Sequence, residues 1–108
     1  MYSKEYLKNL NYVQAHTELR DFLEILAEEA AELAQAALKV IRAEEISNIP
    51  TPTSAEEARK NLIEEVADVQ NCLNALGMCS ESGVLDKIMA NKMQRWVERL
   101  KERETLIP

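Results

Sequence analysis

Two pairs of carboxylates stand at corresponding positions of a short internal repeat. The segment LAEEAAEL at residues 26–33 returns thirty-six positions later as LIEEVADV at residues 62–69. The acidic pairs that the two copies share are Glu29 and Glu32, and Glu65 and Asp68. Carboxylates brought together out of water repel one another unless a cation lies among them. A hard divalent ion, which prefers oxygen ligands, is the simplest such cation.

Helices must position these carboxylates. Successive residues turn by about 100° around an α-helix. In the first copy the apolar positions recur at steps of three and four, and they are Leu26, Ala30, Leu33 and Ala37. Glu29 and Glu32 then lie roughly 60–120° to one side of this apolar seam, and the second copy repeats the arrangement. We therefore predict two helices that bring four carboxylates together beside a shared seam.

Helical spacing of apolar residues extends over most of the chain. It predicts helices over residues 3–15, 19–43, 54–76 and 84–104. Thr17 is the expected N-cap of the second helix, and Ser54 with Glu57 forms a capping box for the third. The prolines of residues 46–53 must interrupt the helical pattern, and a polar turn is expected at residues 77–83.

Composition predicts a single all-α domain over residues 1–108. Hydrophobic residues make up 46% of the chain, with two Gly and three Pro, which argues for helices and against disorder. The long helices carry more apolar surface than one small bundle hides. We therefore predict a helical bundle of about four helices, completed by oligomerisation as a homodimer or homotetramer.

Charge and hydropathy limit the partners. The net charge is −6, and residues 18–68 carry thirteen acids against five bases. Such an acidic body disfavours binding to a nucleic acid polymer, although six bases against four acids in residues 84–104 leave room for a small anionic ligand. No stretch approaches the roughly 20 apolar residues of a membrane span. We expect no membrane partner and a cytoplasmic location.

Other sites fit the sequence less well. A ferritin-like di-iron centre requires Glu-x-x-His motifs, and the one histidine, His16, lies outside both copies of the repeat. Cys72 and Cys79 are seven residues apart, a spacing too long for a disulfide in regular helix, so we expect reduced and buried thiols. Trp96 belongs to the apolar row of the last helix and is expected in the core.

The acidic motifs resemble those of a known family. Glu28-Glu29-x-x-Glu32, followed by Glu65-x-x-Asp68, is similar to the ExxE…ExxD signature of the MazG-like, all-α nucleoside triphosphate pyrophosphohydrolases. One departure is the gap between the motifs, because thirty-two residues separate the two acidic pairs. This gap is somewhat longer than is usual in the family, and the excess lies in the proline-containing loop.

The resemblance extends to the last predicted helix and covers roughly residues 19–96. Lys87-x-x-x-Asn91-x-x-x-Arg95 is similar to the Lys/Asn/Arg row that the family carries there. The resemblance implies Mg²⁺-dependent hydrolysis, with Mn²⁺ as a substitute, of a nucleoside triphosphate to its monophosphate and pyrophosphate. It also implies a catalytic and metal-binding role for Glu29, Glu32, Glu65 and Asp68, and substrate binding by Lys87, Asn91 and Arg95.

Two further side chains are expected to contact the substrate. Lys39 lies two turns after the first acidic pair and can reach a phosphate, and Asn71 follows the second pair by one turn. Two other functions stay open. One is hydrolysis of a different pyrophosphate-containing metabolite. The other is a non-catalytic oligomerisation or partner-binding module whose acidic repeat only solvates a helix pair.

Overall fold

The computed structural model describes residues 2–44, 53–77 and 82–106. Over these ranges the protein is all-α, with four helices and no strand, which confirms the predicted fold class. The helices are α1 (Lys4–His16), α2 (Leu19–Ala43), α3 (Ala55–Ala75) and α4 (Ser82–Leu106). Each end lies within two residues of its prediction. Most of the predicted loop at residues 46–53 falls outside the described residues.

The chain divides into two compact units, Met1–Leu76 and Gly77–Pro108. In the first unit α2 packs along α3, and α1 contacts α3. The second unit contains α4. A single domain over the whole chain stays a prediction.

Local capping explains where the helices of the first unit begin. The Ser3 hydroxyl accepts a hydrogen bond from the Tyr6 backbone N–H at 3.1 Å, at the start of α1. Ser54 Oγ accepts one from the Glu57 backbone N–H at 3.2 Å, which confirms the predicted cap of α3. The prediction for Thr17 is wrong, because the N-cap of α2 is Glu18, which makes no side-chain capping bond. Thr17 instead ends α1 in an extended conformation.

The end of α3 uses a glycine. Gly77 follows the C-cap residue of α3 with φ of 74°, in the left-handed region that glycine adopts without steric cost. Part of the turn predicted at residues 77–83 is helical instead, because α4 already begins at Ser82. Residues 78–81 lie outside the described residues.

Burial along α2 and α3 follows steps of seven residues. The buried residues on this line are Phe22 and Ala36 on α2, and Ala58 and Cys72 on α3. Midway between the members of each pair stand Glu29 and Glu65. Seven residues make about two helical turns, so all three positions of each helix share one face. Both glutamates therefore emerge within the line of contact between the two helices.

This contact line is rotated from the predicted seam. Ala30 and Ala37 were expected to face the partner helix but are exposed, and the buried alanine of α2 is Ala36. Small residues at Ala36 and Ala58 leave room for the helices to approach each other on the glutamate side. Glu29 consequently lies on the line of contact rather than on its shoulder.

Large apolar side chains stay exposed on both units. In the first unit Leu19 is 65% exposed and Ile63 is 70% exposed, and among the described residues no large side chain is fully buried. The prediction that Trp96 is a core residue is wrong, because its side chain on α4 is 60% exposed. No helix in the described ranges is long and apolar enough to cross a membrane.

Candidate metal centre

Three of the four predicted carboxylates meet at the contact between α2 and α3. Glu29 from α2 and Glu65 and Asp68 from α3 each offer an oxygen, and these oxygens lie within 4.8 Å of one another. Glu65 and Asp68 are three residues apart and are therefore neighbours on the surface of α3. The repeat thus places carboxylates from two helices around one point, and we call these three residues the carboxylate cluster.

Two oxygens of the carboxylate cluster have no hydrogen-bond partner. Glu29 Oε2 and Glu65 Oε2 are shielded from solvent, and neither accepts a hydrogen bond. Within the described part of the chain, no Lys or Arg forms an ion pair with the cluster; the ion pairs join Arg20 to Glu24 and Arg59 to Glu44. Shielded acceptors without a partner are rare and costly in proteins. A cation placed among them would satisfy both oxygens.

Electrostatics agree with this crowding. Burial raises the pKa of Glu29 above its ordinary value, and the charges of Glu32 and Asp68 raise it further. The pKa of Glu65 is raised by the same causes in the same order. A raised pKa means that ionising these carboxyls is less favourable here than in water, whereas a divalent ion would favour the ionised forms.

Glu32 lies at the edge of the carboxylate cluster. It is exposed and stands outside the group of three oxygens that approach within 4.8 Å. Its charge nevertheless raises the pKa of Glu29 and of Glu65. Its carboxyl group is thus close to the other members while it remains accessible to solvent.

A polar groove continues from the cluster toward the end of α2 and the beginning of α3. Its lining residues are Glu32, Gln35, Ala36, Lys39, Asn61 and Glu65. The structure therefore brings the predicted phosphate-binding Lys39 into the same groove as Glu32 and Glu65. The groove offers an ammonium group and two amides beside the carboxylates, which is a suitable lining for a phosphate chain.

Asn71 lies on the other side of the cluster, one turn beyond Asp68 on α3. Its Oδ1 accepts a hydrogen bond from the Tyr6 hydroxyl at 2.6 Å, so α1 contacts the site region through this pair. Tyr6 was not predicted as a site residue. Its place among the apolar residues of α1 marked it as a packing residue, and no local pattern indicates a partner sixty-five positions away.

Cys72 lies close to the carboxylates. It is a buried free thiol, and its pKa is raised by burial and by the charges of Glu29 and Asp68. The prediction of a reduced, buried thiol is confirmed at this position, whereas Cys79 lies outside the described residues.

The predicted basic row stands on α4 and is described within that unit alone. Lys87, Asn91 and Arg95 are all exposed and follow one another at steps of four. Arg95 also lines a groove on α4 that was not predicted. The other lining residues of this groove are Lys92, Trp96, Arg99, Leu100 and Arg103. The sequence pattern that indicates this groove is the recurrence of Lys and Arg at steps of three and four along α4.

No protein-family model, curated protein or solved structure matches this chain.

Proposed function

We propose that this protein is a MazG-like enzyme that hydrolyses a ribo- or deoxyribonucleoside triphosphate between the α and β phosphates. Water is the second substrate, and the products are the nucleoside monophosphate and pyrophosphate. The observation that carries the proposal is the pair of shielded, unpartnered oxygens of Glu29 and Glu65, held within reach of Asp68.

The donor set fits Mg²⁺, with Mn²⁺ as a substitute. The carboxylate cluster offers oxygen ligands only, and Mg²⁺ commonly combines a few carboxylates with water and substrate phosphates. Glu29, Glu65 and Asp68 would hold the ion, with Glu32 beside them. When bound, a divalent ion offsets phosphate charge and lowers the pKa of water at the site.

The side chains around the cluster have separate tasks in this reaction. We assign Glu32 to accept the proton of the attacking water, because its carboxyl group is solvent-accessible yet close to Glu29 and Glu65. Lys39 offsets the negative charge of the phosphates in the polar groove. Lys87, Asn91 and Arg95 bind phosphate in the same proposal, and the arginine is suited to bidentate contact.

A homodimer or homotetramer in the cytoplasm is part of the proposal. The exposed apolar side chains of both units support it, since burying such surface between subunits stabilises the assembly. A nucleotide-pool enzyme of this type requires neither a membrane nor a nucleic acid polymer as a partner.

The test is pyrophosphate release from a panel of ribo- and deoxyribonucleoside triphosphates, measured with Mg²⁺ and with EDTA. We expect metal-dependent release of pyrophosphate together with the monophosphate. Release of orthophosphate and a diphosphate would show that another bond is cleaved. Absence of turnover from folded protein would favour the non-catalytic oligomerisation module.

A further inference from the structure

A second groove lies between α1 and α3, beside the carboxylate cluster. Its lining residues are Tyr6, Asn9, Leu10 and Val13 from α1, and Asn71 and Ala75 from α3. Most of this lining is apolar, in contrast to the polar groove that contains Lys39. Asn71 follows Asp68 by three residues on the same helix, so this apolar groove begins one turn from the carboxylates.

A chain of hydrogen bonds orients the amide at the edge of the apolar groove. Asn74 is 7% exposed, and its Oδ1 accepts a hydrogen bond from Gln70 Nε2 at 3.1 Å. Asn74 Nδ2 then donates to the hydroxyl of Tyr6 at 3.0 Å. The Tyr6 hydroxyl, which has one proton, donates it to Asn71 Oδ1 at 2.6 Å.

This chain of hydrogen bonds runs in one direction and has a defined end. Because the Tyr6 hydroxyl accepts from Asn74, its proton is committed to Asn71, and Asn71 Oδ1 is committed as an acceptor. Asn71 Nδ2 is left with two N–H donors, and it donates to no other residue among those that the structure describes. The apolar groove therefore has an oriented hydrogen-bond donor at its edge.

We propose that the apolar groove binds the base of the nucleotide, with Asn71 Nδ2 donating to a ring nitrogen or carbonyl oxygen of that base. This inference rests on the proposed function and names the specificity determinant of the same site. Leu10, Val13 and the ring of Tyr6 supply apolar surface for a heterocycle, as is usual for sites of aromatic ligands.

The order of groups along α3 gives the substrate a direction. Asn61 lines the polar groove, Glu65 and Asp68 belong to the carboxylate cluster, and Asn71 borders the apolar groove. These positions span ten residues, or about 15 Å along the helix. The phosphate chain lies toward Lys39, and the base lies toward α1.

Tyr6 is a positioning residue in this proposal, because it acts on the base through Asn71. A role in helix packing alone would change stability without changing which base is preferred. The test therefore compares substrates with one another within each variant. Asn71→Leu removes the donor at similar volume, Tyr6→Phe removes the hydroxyl that orients it, and Tyr12→Phe is the matched control. Tyr12 is 65% exposed and stands outside the apolar groove.

The first measurement is kcat and KM for the four common ribonucleoside triphosphates and their deoxy forms. Asn71→Leu should raise KM for the preferred substrate about five-fold or more and flatten the ranking among bases, as expected for one lost hydrogen bond. Tyr6→Phe should shift the ranking in the same direction by a smaller factor, and Tyr12→Phe should leave it unchanged. An unaltered ranking in Asn71→Leu would overturn the inference.

A binding measurement separates this inference from the proposed function. The NMR signals of the Asn71 side-chain NH₂ group should shift when a nucleoside monophosphate is added to the wild-type protein, and ribose 5-phosphate should not shift them. Such base-dependent shifts without hydrolysis of any triphosphate would refute the proposed function and leave the base groove standing. If triphosphates are hydrolysed but ribose 5-phosphate shifts the Asn71 signals as much as the nucleoside monophosphate does, base binding in the apolar groove is refuted and the proposed function stands.

Discussion

Replacing Glu65 by glutamine tests the metal centre most directly. Glutamine keeps the size of the side chain but removes the charge of one of the three carboxylates that approach within 4.8 Å. Loss of a residue that only supports a metal ligand costs about 10–100-fold in metal affinity, so loss of a direct ligand should cost at least about 100-fold. We expect Mg²⁺ binding and pyrophosphate release to fall together by this factor.

The effect on thermal stability follows from mass action. At a Mg²⁺ concentration 100-fold above the wild-type Kd, binding should raise the Tm by about 11–22 °C for a domain of this size. At the same concentration a variant with about 100-fold weaker binding has half its sites filled, and its Tm should rise by about 2–3 °C. The two proteins are therefore readily distinguished by thermal unfolding.

The assay is thermal unfolding of wild type and Glu65→Gln over a Mg²⁺ titration, with EDTA as the baseline and circular dichroism as the probe. Glu64→Gln is the matched control, because Glu64 is the exposed neighbour on the same helix and its charge is the weakest of the causes that raise the pKa of Glu65. We expect the control to behave as wild type. Equal Mg²⁺-dependent stabilisation in Glu65→Gln and wild type would refute the metal centre.

Three further predictions concern the surroundings of this centre. Because the pKa of Glu29 is raised in the folded protein, its contribution to the free energy of unfolding falls as pH rises above its ordinary value of 4.5. In EDTA, the free energy of unfolding of Glu29→Gln should therefore rise relative to that of wild type as pH increases above 4.5. A difference between the two proteins that does not change with pH in urea unfolding would contradict this. Asn74→Ala should lower the free energy of unfolding by about 1–3 kcal/mol through its lost hydrogen bonds. The control Asn11→Ala, at an exposed position of α1, should change it little. Equal effects of the two variants in urea unfolding would show that the hydrogen bonds of Asn74 do not stabilise the fold. Lys39→Met should raise KM for the triphosphate about ten-fold through loss of a charged contact, and steady-state kinetics that match those of Lys60→Met would exclude Lys39 from the phosphate site.

The sequence was sufficient for much of the fold. Helical spacing predicted all four helices to within two residues of their ends, since amphipathic periodicity and capping are local properties of the chain. The cap at Ser54 followed from its own neighbours in the same way. The cap expected at Thr17 failed because an extended residue at Glu18 performs that role without a side-chain bond.

The carboxylate repeat was also visible in the sequence, but the placement of its members was not. Spacing put Glu29 and Glu65 on the shoulder of an apolar seam, whereas packing put them on the line of contact, between buried residues at steps of seven. The periodicity of one helix allows several faces to meet a partner. Which face does so depends on side chains of both helices, here on the small residues Ala36 and Ala58.

The sequence by itself determined the helices, the acidic repeat and the expectation of a cation between two helices, because these follow from local spacing and from the repulsion of like charges. Tertiary structure decided which oxygens meet, that Glu29 Oε2 and Glu65 Oε2 lack partners, and that Tyr6 orients Asn71. These features depend on contacts between residues far apart in the chain. Such contacts form only when α1 and α2 pack against α3, and no local pattern in the sequence encodes them.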